Sequence, residues 1–369
     1  MAVTAVVLPL RGTSLTFGVL TLDRPEALNS LNLDMVTTLH AQLSKWQGDQ
    51  EIAFVIIQGQ GERAFCAGGD ITTLYKSLLS EAHRVFEPQH YAYRFFKTEY
   101  ELNALIHHYR KPIVALGQGV VMGGGVGLFM GASHKVVFAN TRYAMPEVAI
   151  GLYPDVAGTW LLGRLPKGVG KYVALTGTSL NGHDCCFLRL ADSYVDKYSA
   201  GELIALVSDY AYDTNLSSAG NVNRLLTGVD RQWDTDQSPI AAHFHELRDL
   251  SLSHSVADFT NKLDKLHAGS HSEVIEAGRK SLAYASPLST QITWQLLTTN
   301  RTASVSQTLE RDFWVSLQCC SAGDFKEGVR ALLIDKDRTP RWRPLESIDT
   351  PLIDTFCQPS WTGAAPLAL

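Results

Sequence analysis

The sequence predicts an α/β fold with a mainly helical C-terminal part. Apolar runs typical of buried strands, such as FGVLTL at 17–22 and AFVIIQ at 53–58, alternate with helical patterns such as LDMVTTLHAQLSKW at 33–46. This alternation is typical of parallel sheets with helical crossovers. After about residue 190 the strand-like runs fade. We therefore predict a core over residues 1–200 and a mainly helical extension over 201–369 that packs on it.

The remaining elements follow in order along the chain. The start, MAVTAVVLPLRG, is predicted to be a first strand and not a signal peptide, because it lacks a basic segment and contains Pro9. Further strands are expected at PIVALGQG (112–119) and KVVFA (135–139). Later helices are expected in the segments GELIALVSDYAYD, VADFTNKLDKLH and SPLSTQITWQLLTT.

The composition excludes several classes of protein. A chain of 369 residues, 45% of them hydrophobic, can fill one large core or two smaller ones. The net charge is -5 and the basic residues form no run, which argues against nucleic-acid binding. No apolar run approaches the length of a membrane span. Four of the six cysteines form the neighbouring pairs Cys185–Cys186 and Cys319–Cys320, a pattern that favours reduced thiols in a reducing compartment. Nothing near the start resembles an arginine-rich transit peptide, so we expect a cytoplasmic protein or a mature form.

Two glycine turns are the first indication of chemistry. Gly123, Gly124 and Gly125 stand at a predicted helix start, where unpaired N–H groups favour a developing negative charge and no Cβ blocks a substrate. AFCAGGDI (64–71) reads as a strand that enters a second glycine turn before another helix. Gly-Gly alone usually marks an ordinary turn. Two N–H donors from separate turns, however, make an oxyanion hole.

Two loop carboxylates follow the second turn. Glu147 lies in MPE and Asp155 lies in GLYPD, so each follows a proline whose fixed φ stiffens the loop. An exposed loop glutamate is usually only solvated, and the alternative role of Asp155 is to cap a helix over 156–162. The order of the two turns and the two carboxylates favours acyl chemistry.

Three other patterns are weaker. GRLPKGVGKY (163–172) lacks the Ser or Thr that a phosphate loop requires after its lysine, so it predicts a helix start. His183 lies near two cysteines, but no second pair stands at zinc-finger spacing. Ser133 and His134 are sequence neighbours outside a G-x-S-x-G elbow, so we expect no nucleophile–base pair there.

These segments resemble the crotonase (enoyl-CoA hydratase/isomerase) superfamily and, within it, the 3-hydroxyisobutyryl-CoA hydrolases. The likeness covers roughly residues 12–345 in blocks and is weakest between about 190 and 275. MGGGVGL, MPE and GLYPD resemble the hydrolases in particular. The blocks are DRPEALNSLNLDM (23–35), AFCAGGDI, KPIVALGQGVVMGGGVGL (111–128), AMPEVAIGLYPDVAG (144–158) and DFKEGVRALLIDKDRTPRW (324–342). The resemblance implies a core of ββα units wound into a superhelix.

The resemblance also implies roles for individual residues. Gly69 and Gly124 resemble the two oxyanion donors. Glu147 and Asp155 resemble the catalytic carboxylates of the hydrolases, and the spacing of Glu147 from Gly124 matches.

Two further residues resemble parts of the substrate site. Glu99, in KTEYELN, resembles a glutamate of the substrate pocket, and its alternative role is a solvated charge on a helix. Ala67 resembles the position whose backbone carbonyl lies near the adenine of CoA.

One absence indicates the type of reaction. The enoyl-CoA hydratases that the chain resembles carry a second glutamate three residues after the second oxyanion glycine, where this chain has Gly127. Thioester hydrolysis needs an oxyanion hole, one carboxylate that attacks or activates water, and a group that places water or substrate. We therefore expect a hydrolase of a short branched or β-hydroxylated acyl-CoA, which implies valine catabolism. We expect no metal and no redox cofactor.

Several alternatives stay open from the sequence. An enoyl-CoA hydratase/isomerase is one alternative, because an isomerase with a single glutamate also needs only one base beside an oxyanion hole. A non-catalytic acyl-CoA-binding protein is the other, although binding alone needs neither carboxylate. The hydrolases usually continue PDVGG, whereas Ala157 stands in this chain, so the acyl group is open. Glu147 could attack the carbonyl or deprotonate water. The expected partner is acyl-CoA, without nucleic acid or membrane, and the resemblance implies a homo-oligomer unless the C-terminal part covers that surface.

Overall fold

The computed structural model describes residues 2–270, 272–361 and 366–369, which pack into two units. The first unit comprises residues 1–69, 101–143 and 180–241, and the second comprises 70–100, 144–179 and 242–369. The division at residue 200 that the sequence suggests stays a prediction.

The described strands occur between the N-terminus and residue 195. They are β1 (Val3–Pro9), β2 (Thr16–Leu22), β3 (Ile52–Gly59), β4 (Ala64–Cys66), β5 (Ile113–Gly117), β6 (Val120–Met122), β7 (His134–Phe138), β8 (Arg142–Ala144) and β9 (Ser193–Val195). The strands expected from the apolar runs are confirmed, and their ends differ from the expected ones by at most three residues. β6, β8 and β9 are too short for a recognisable run.

Helices lie between these strands and dominate after β9. They are α1 (Leu33–Gly48), α2 (Ile71–Glu81), α3 (Tyr91–His107), α4 (Gly124–Met130), α5 (Gly158–Leu162), α6 (Lys167–Thr176), α7 (Gly182–Phe187), α8 (Ala200–Asp209), α9 (Ser218–Val229), α10 (Pro239–Ala242), α11 (Phe244–Asp249), α12 (Val256–Ser270), α13 (Glu273–Tyr284), α14 (Pro287–Thr299), α15 (Val305–Ala322), α16 (Phe325–Val329) and α17 (Thr350–Cys357). Short 3-10 turns span Pro25–Ala27, Ala82–Arg84, Glu147–Ile150, Thr235–Gln237, Leu250–Leu252 and Leu345–Ser347, and a π-turn spans Arg330–Ile334. None of the described helices has the length and apolar character needed to cross a membrane.

The described strands form two sheets, and from β3 onward successive strands enter the two sheets alternately. In the described residues a larger sheet has the order β1-β2-β3-β5-β7-β9, and a smaller one has the order β4-β6-β8. β1 pairs antiparallel with β2, and the other described pairs in the larger sheet are parallel. From β3 onward, the first strand of each ββ pair enters the larger sheet and the second enters the smaller one. The repeat is therefore the ββα unit that the resemblance implies.

The core of the first unit follows the two-residue period of its strands. Phe17 and Val19 on β2, and Phe54 and Ile56 on β3, point to one face, where residues of α8 and α9 cover them. On β2, a Cβ built at Gly18 would lie 2.6 Å from a ring carbon of Trp46 in α1. Alternate positions of one strand thus bury against different helices.

Candidate active site

The two glycine turns lie side by side in the first unit. β4 and β6 pair in parallel, so their C-terminal ends meet at one edge of the smaller sheet. A Cβ built at Gly68, after β4, would lie 3.6 Å from the backbone nitrogen of Gly124. A Cβ built at Gly125 would lie 2.3 Å from the carbonyl oxygen of Cys66. The turns approach so closely that the latter position has no room for a side chain.

The backbone of these turns presents two N–H donors. Gly123 has φ 53° and ψ -124°, a conformation open to glycine and strained for other residues, and it makes Gly124 the first residue of α4. The first N–H groups of a helix have no intrahelical acceptor. Among the described residues, neither the N–H of Gly69 nor that of Gly124 donates a hydrogen bond. Both amides are therefore available to a ligand oxygen.

Ala67 begins the first turn. Its N–H donates to the carbonyl of Leu28 at 3.0 Å, which fixes the peptide, and the residue is half-buried. Within the described chain its own carbonyl accepts no hydrogen bond. A backbone carbonyl in that state can accept a ligand donor, as the resemblance implies for this position.

Glu147 opens a 3-10 turn in the second unit. Its carbonyl accepts the N–H of Gly151, whose φ is 75°. A Cβ at Gly151 would lie 2.3 Å from the carbonyl carbon of Asp324, and a Cβ at Gly177 would lie 2.6 Å from the Cα of Pro146. Glycines on both sides therefore allow the backbone packing that holds the Glu147 turn.

The three carboxyl groups that the sequence assigns to the site are buried in the second unit. Glu99, Glu147 and Asp155 are 2%, 5% and 4% exposed. In the described structure, Oε1 of Glu99 and Oε2 of Glu147 have no hydrogen-bond partner. Burial raises the pKa of both glutamates well above the ordinary value, and the charge of Asp155 raises it further. A solvated charge, the alternative role at Glu99 and Glu147, is therefore wrong.

Asp155 has a different environment from the two glutamates. Burial raises its pKa to about 6, while a hydrogen bond from the Tyr100 hydroxyl to Oδ2, at 2.6 Å, opposes the rise. α5 begins at Gly158, its N-cap residue is Ala157, and no side chain caps it. The alternative role of Asp155 as a helix cap is therefore wrong.

Helix α15 carries residues that contact Tyr100 and Tyr153, and the sequence alone did not indicate them. The Ser316 hydroxyl lies 2.6 Å from that of Tyr100 and 3.1 Å from that of Tyr153. Tyr153 donates to the backbone carbonyl of Asp312 at 2.9 Å. Asp312 and Ser316 stand four residues apart in the apolar stretch DFWVSLQCC, and buried polar residues one turn apart were the available signal.

Asp312 also holds the turn that follows Asp155. Val156 and Ala157 have φ 48° and 61°, which is strained for residues other than glycine, and more so for the β-branched valine. Oδ2 of Asp312 accepts the N–H of Ala157 at 2.8 Å. Burial raises the pKa of Asp312 well above its ordinary value. This contact compensates for strain in the turn.

The remaining sequence patterns have structural roles. Ser133 Oγ does lie 2.9 Å from Nδ1 of His134, contrary to the expectation that the neighbours would not pair. The same oxygen accepts the N–H of Ile113 at 2.9 Å and lies 3.1 Å from its carbonyl, so it supports the start of β5. Nδ1 of His183 accepts the N–H of Asp234 at 3.0 Å. The phosphate-loop-like segment contains the start of α6 at Lys167, as predicted.

The chain is similar to known proteins over most of its length. A family model described as enoyl-CoA hydratase/isomerase matches residues 17–356. The chain is 37% identical over 344 residues to a mitochondrial 3-hydroxyisobutyryl-CoA hydrolase of Xenopus tropicalis, with 92% of this chain and 86% of the relative covered. The human protein of the same name is 36% identical over 332 residues, with 89% and 82% covered.

Solved structures share the fold. A carnitinyl-CoA dehydratase from Mycobacterium thermoresistibile has a TM-score of 0.82 and 32% identity, with 96% of each chain covered. An enoyl-CoA hydratase from Rhodobacter sphaeroides 2.4.1 has a TM-score of 0.81 and 31% identity, with 96% of this chain and 97% of that chain covered. The crotonase-like fold expected from the sequence is confirmed. The chain belongs to the enoyl-CoA hydratase/isomerase family.

Proposed function

We propose that this protein is an acyl-CoA thioester hydrolase that converts 3-hydroxyisobutyryl-CoA, or a related short β-hydroxyacyl-CoA, to the free acid and CoA. The observation that carries the proposal is the similarity to proteins named 3-hydroxyisobutyryl-CoA hydrolase. It extends over 92% of this chain and 86% of the Xenopus tropicalis relative. A place in valine catabolism would follow from that substrate.

The glycine turns supply the first half of the chemistry. Attack on a thioester carbonyl places negative charge on its oxygen, and two preorganised N–H donors stabilise that charge. Gly69 and Gly124 have such N–H groups on adjacent turns, and the one of Gly124 also stands at the start of α4. We assign the oxyanion hole to these two amides.

The buried acids supply the second half. Glu147 is the carboxylate that attacks the carbonyl or deprotonates water, and Asp155 places the water or the substrate hydroxyl. Glu99 is a further acid of the substrate site, and the carbonyl of Ala67 lies near the adenine of CoA. The reaction transfers no electrons, and the amides stabilise the developing charge, so we propose that no metal or redox cofactor takes part. Acyl-CoA then brings its own CoA as part of the substrate.

The nearest alternative is hydration or isomerisation of an enoyl-CoA. The two similar structures are named an enoyl-CoA hydratase and a carnitinyl-CoA dehydratase. Hydration and dehydration change the acyl chain and leave the thioester bond intact. Gly127 is buried in α4 and has no side chain to serve as the second acid or base of a hydratase. An isomerase needs only one base and stays the second candidate. A protein that only binds acyl-CoA has no need for the buried carboxylates.

Location and assembly are open to experiment. The similar hydrolases are named mitochondrial, whereas the first residues of this chain, which do not resemble an arginine-rich transit peptide, predict a cytoplasmic protein or a mature form. Both the location and the homo-oligomer stay predictions. Fractionation of the native cells and light scattering of the purified chain would test them.

An acyl-CoA panel tests the proposed substrate class. The purified chain is assayed for free thiol with 3-hydroxyisobutyryl-CoA, 3-hydroxypropionyl-CoA, isobutyryl-CoA and acetyl-CoA. The two hydroxylated substrates should have the highest kcat/KM. Equal rates across the panel would contradict recognition of the β-hydroxyl, and no thiol from any member would contradict the hydrolase itself.

A further inference from the structure

A chain of four oxygen–oxygen contacts links Asp155 to helix α15. It runs from Oδ2 of Asp155 to the Tyr100 hydroxyl at 2.6 Å and on to Ser316 Oγ at 2.6 Å. It continues from Ser316 to the Tyr153 hydroxyl at 3.1 Å and ends at the Asp312 carbonyl at 2.9 Å. Among these five residues, Tyr100 alone joins the chain directly to Asp155.

The number of hydroxyl protons and the distances together indicate which group donates in each contact. Three hydroxyl groups supply three protons for four contacts. The Asp312 carbonyl cannot donate, so Tyr153 donates to it, and an ionised Asp155 requires Tyr100 to donate to Oδ2. Ser316 then has one proton for two neighbours, and the contact of 2.6 Å indicates Tyr100 as its acceptor rather than Tyr153 at 3.1 Å.

Hydroxyl groups joined in this way strengthen one another. When Ser316 donates to the Tyr100 oxygen, it makes Tyr100 a better donor to the carboxylate. The chain ends at a backbone carbonyl and not at solvent, so it cannot carry a proton away from Asp155. Its effect is to orient Oδ2 and to stabilise negative charge on that oxygen.

Within the described residues, the side-chain contact that stabilises negative charge on Asp155 comes from the Tyr100 hydroxyl and not from a cation. In the described structure, the groups whose pKa the charge of Asp155 raises come from α3, the Glu147 turn, the segment before α5, and α15, and they are acids, phenols or thiols. They are Glu99, Tyr100, Glu147, Tyr153, Asp312, Cys319 and Cys320. Of the three clustered carboxyls, Asp155 has a donated hydroxyl, whereas Glu99 and Glu147 each have an oxygen without a partner.

We infer that Tyr100, supported by Ser316, is a positioning residue of the reaction: it holds Oδ2 of Asp155 and keeps negative charge of the acidic cluster on that residue. The inference rests on the proposed function for its catalytic meaning. Its structural part, the stabilisation of ionised Asp155, does not depend on the substrate.

The test compares three variants that each remove one buried hydroxyl. Tyr100→Phe removes the donor to Asp155, and Ser316→Ala removes the group behind it. Tyr153→Phe is the matched control, because it removes an equally buried phenol that contacts Ser316 but not Asp155. The full-length proteins carry [γ-13C]aspartate, and the Asp155 signal is assigned by its loss in Asp155→Asn. Thermal melting shows that each variant is folded.

The titration of Asp155 gives the first result. The apparent pKa of Asp155 should rise by about one unit in Tyr100→Phe and by less in Ser316→Ala, and it should stay within about 0.3 unit of wild type in Tyr153→Phe. An unchanged titration in Tyr100→Phe, or an equal rise in Tyr153→Phe, would overturn the inference. If Tyr100→Phe does not fold, the inference is tested by comparing Ser316→Ala with Tyr153→Phe. The apparent pKa of Asp155 should rise in Ser316→Ala and not in Tyr153→Phe.

The pH dependence of thiol release gives the second result. In Tyr100→Phe the acid limb of kcat/KM should move to higher pH along with the titration, while Tyr153→Phe leaves it in place. A changed titration with an unmoved limb would overturn the positioning role. If the wild type releases no thiol from any acyl-CoA but the titration shifts as expected, the proposed function fails and the stabilisation of Asp155 stands.

Discussion

Glu147 combines two properties that oppose each other. Its carboxyl group is 5% exposed, and one oxygen has no partner in the described structure, so the ionised form is costly. The proposed reaction needs the ionised form, because only a carboxylate attacks a carbonyl or accepts a proton from water. A bound substrate that brings the electrophile to this carboxylate would use the unsatisfied oxygen.

The first prediction concerns the glutamate itself. Glu147→Gln should reduce thiol release by at least about a thousandfold while acyl-CoA binding changes little, because the amide keeps the shape and removes the base or nucleophile. Single-turnover assays and calorimetry with an unreactive CoA thioether measure the two quantities. Near-normal kcat in this variant would show that the carboxylate has another role.

The pH profile follows from the raised pKa of Glu147. A base with a pKa above the ordinary 4.5 is protonated at acid pH, so thiol release should rise with pH and its acid limb should lie well above pH 4.5. Because Glu99, Glu147 and Asp155 interact, the limb reports the cluster and not one residue. A profile flat from pH 4.5 to 8 would contradict the buried environment.

The ionised carboxyl group of Asp155 should lower the free energy of unfolding. Its pKa of about 6 in the folded state exceeds the ordinary 3.8, so the folded state binds the proton more tightly than the unfolded state. The free energy of unfolding therefore falls as pH rises from 3.8 to 6, by about 3 kcal/mol. Asp155→Asn should be more stable than wild type at pH 8, and the difference should vanish below pH 4.

Denaturant unfolding at pH 4 and pH 8 measures this effect. Asp209→Asn, at the exposed end of α8, is the control, and its effect should be small at both values. An Asp155→Asn protein that is equally stable or less stable at pH 8 would show that the buried carboxylate does not oppose folding.

The glycine turns show how a short element can be anticipated from sequence. The signal for each turn, a strand followed by glycines and a helix pattern, lies within a few neighbouring residues. AFCAGGDI and the triple glycine therefore predict the two turns. The two turns are adjacent because β4 pairs in parallel with β6. That pairing joins residues distant in the sequence, so a local pattern does not predict it. The role of α15 was also missed, because Ser316 is 216 residues from the Tyr100 hydroxyl it contacts.

Two glycines with opposite surroundings test the role of the glycine turn. Gly125→Ala would place a Cβ 2.3 Å from the carbonyl oxygen of Cys66, so the turn must shift and the Gly124 N–H with it. Loss of one oxyanion donor typically lowers kcat by about a hundred- to a thousandfold. Gly201→Ala in α8 has nothing within 4 Å of its Cβ and should keep full activity.

Thiol release and thermal melting of the two variants separate chemistry from folding. Gly125→Ala should melt as one cooperative unit and yet be nearly inactive. Full activity in a folded Gly125→Ala protein would mean that the turn does not bind the oxyanion.

The sequence blocks and the fold indicate the same family. The likeness lies in blocks between residues 23 and 342, and the family model matches 17–356. The region between about 190 and 275 resembles the family least, because many different sequences can form the apolar helix faces that are buried there. The reaction type rests on few positions, among them Gly127, Glu147 and Asp155.

The most direct test of the hydrolase assignment compares two reactions in one preparation. Purified wild-type protein is given 3-hydroxyisobutyryl-CoA with a thiol reagent and, separately, crotonyl-CoA with detection of the hydrated product, and Glu147→Gln is run beside it. We predict rapid thiol release that Glu147→Gln abolishes, with negligible hydration of crotonyl-CoA. Efficient hydration of crotonyl-CoA without thiol release from the hydroxyacyl substrate would contradict the assignment.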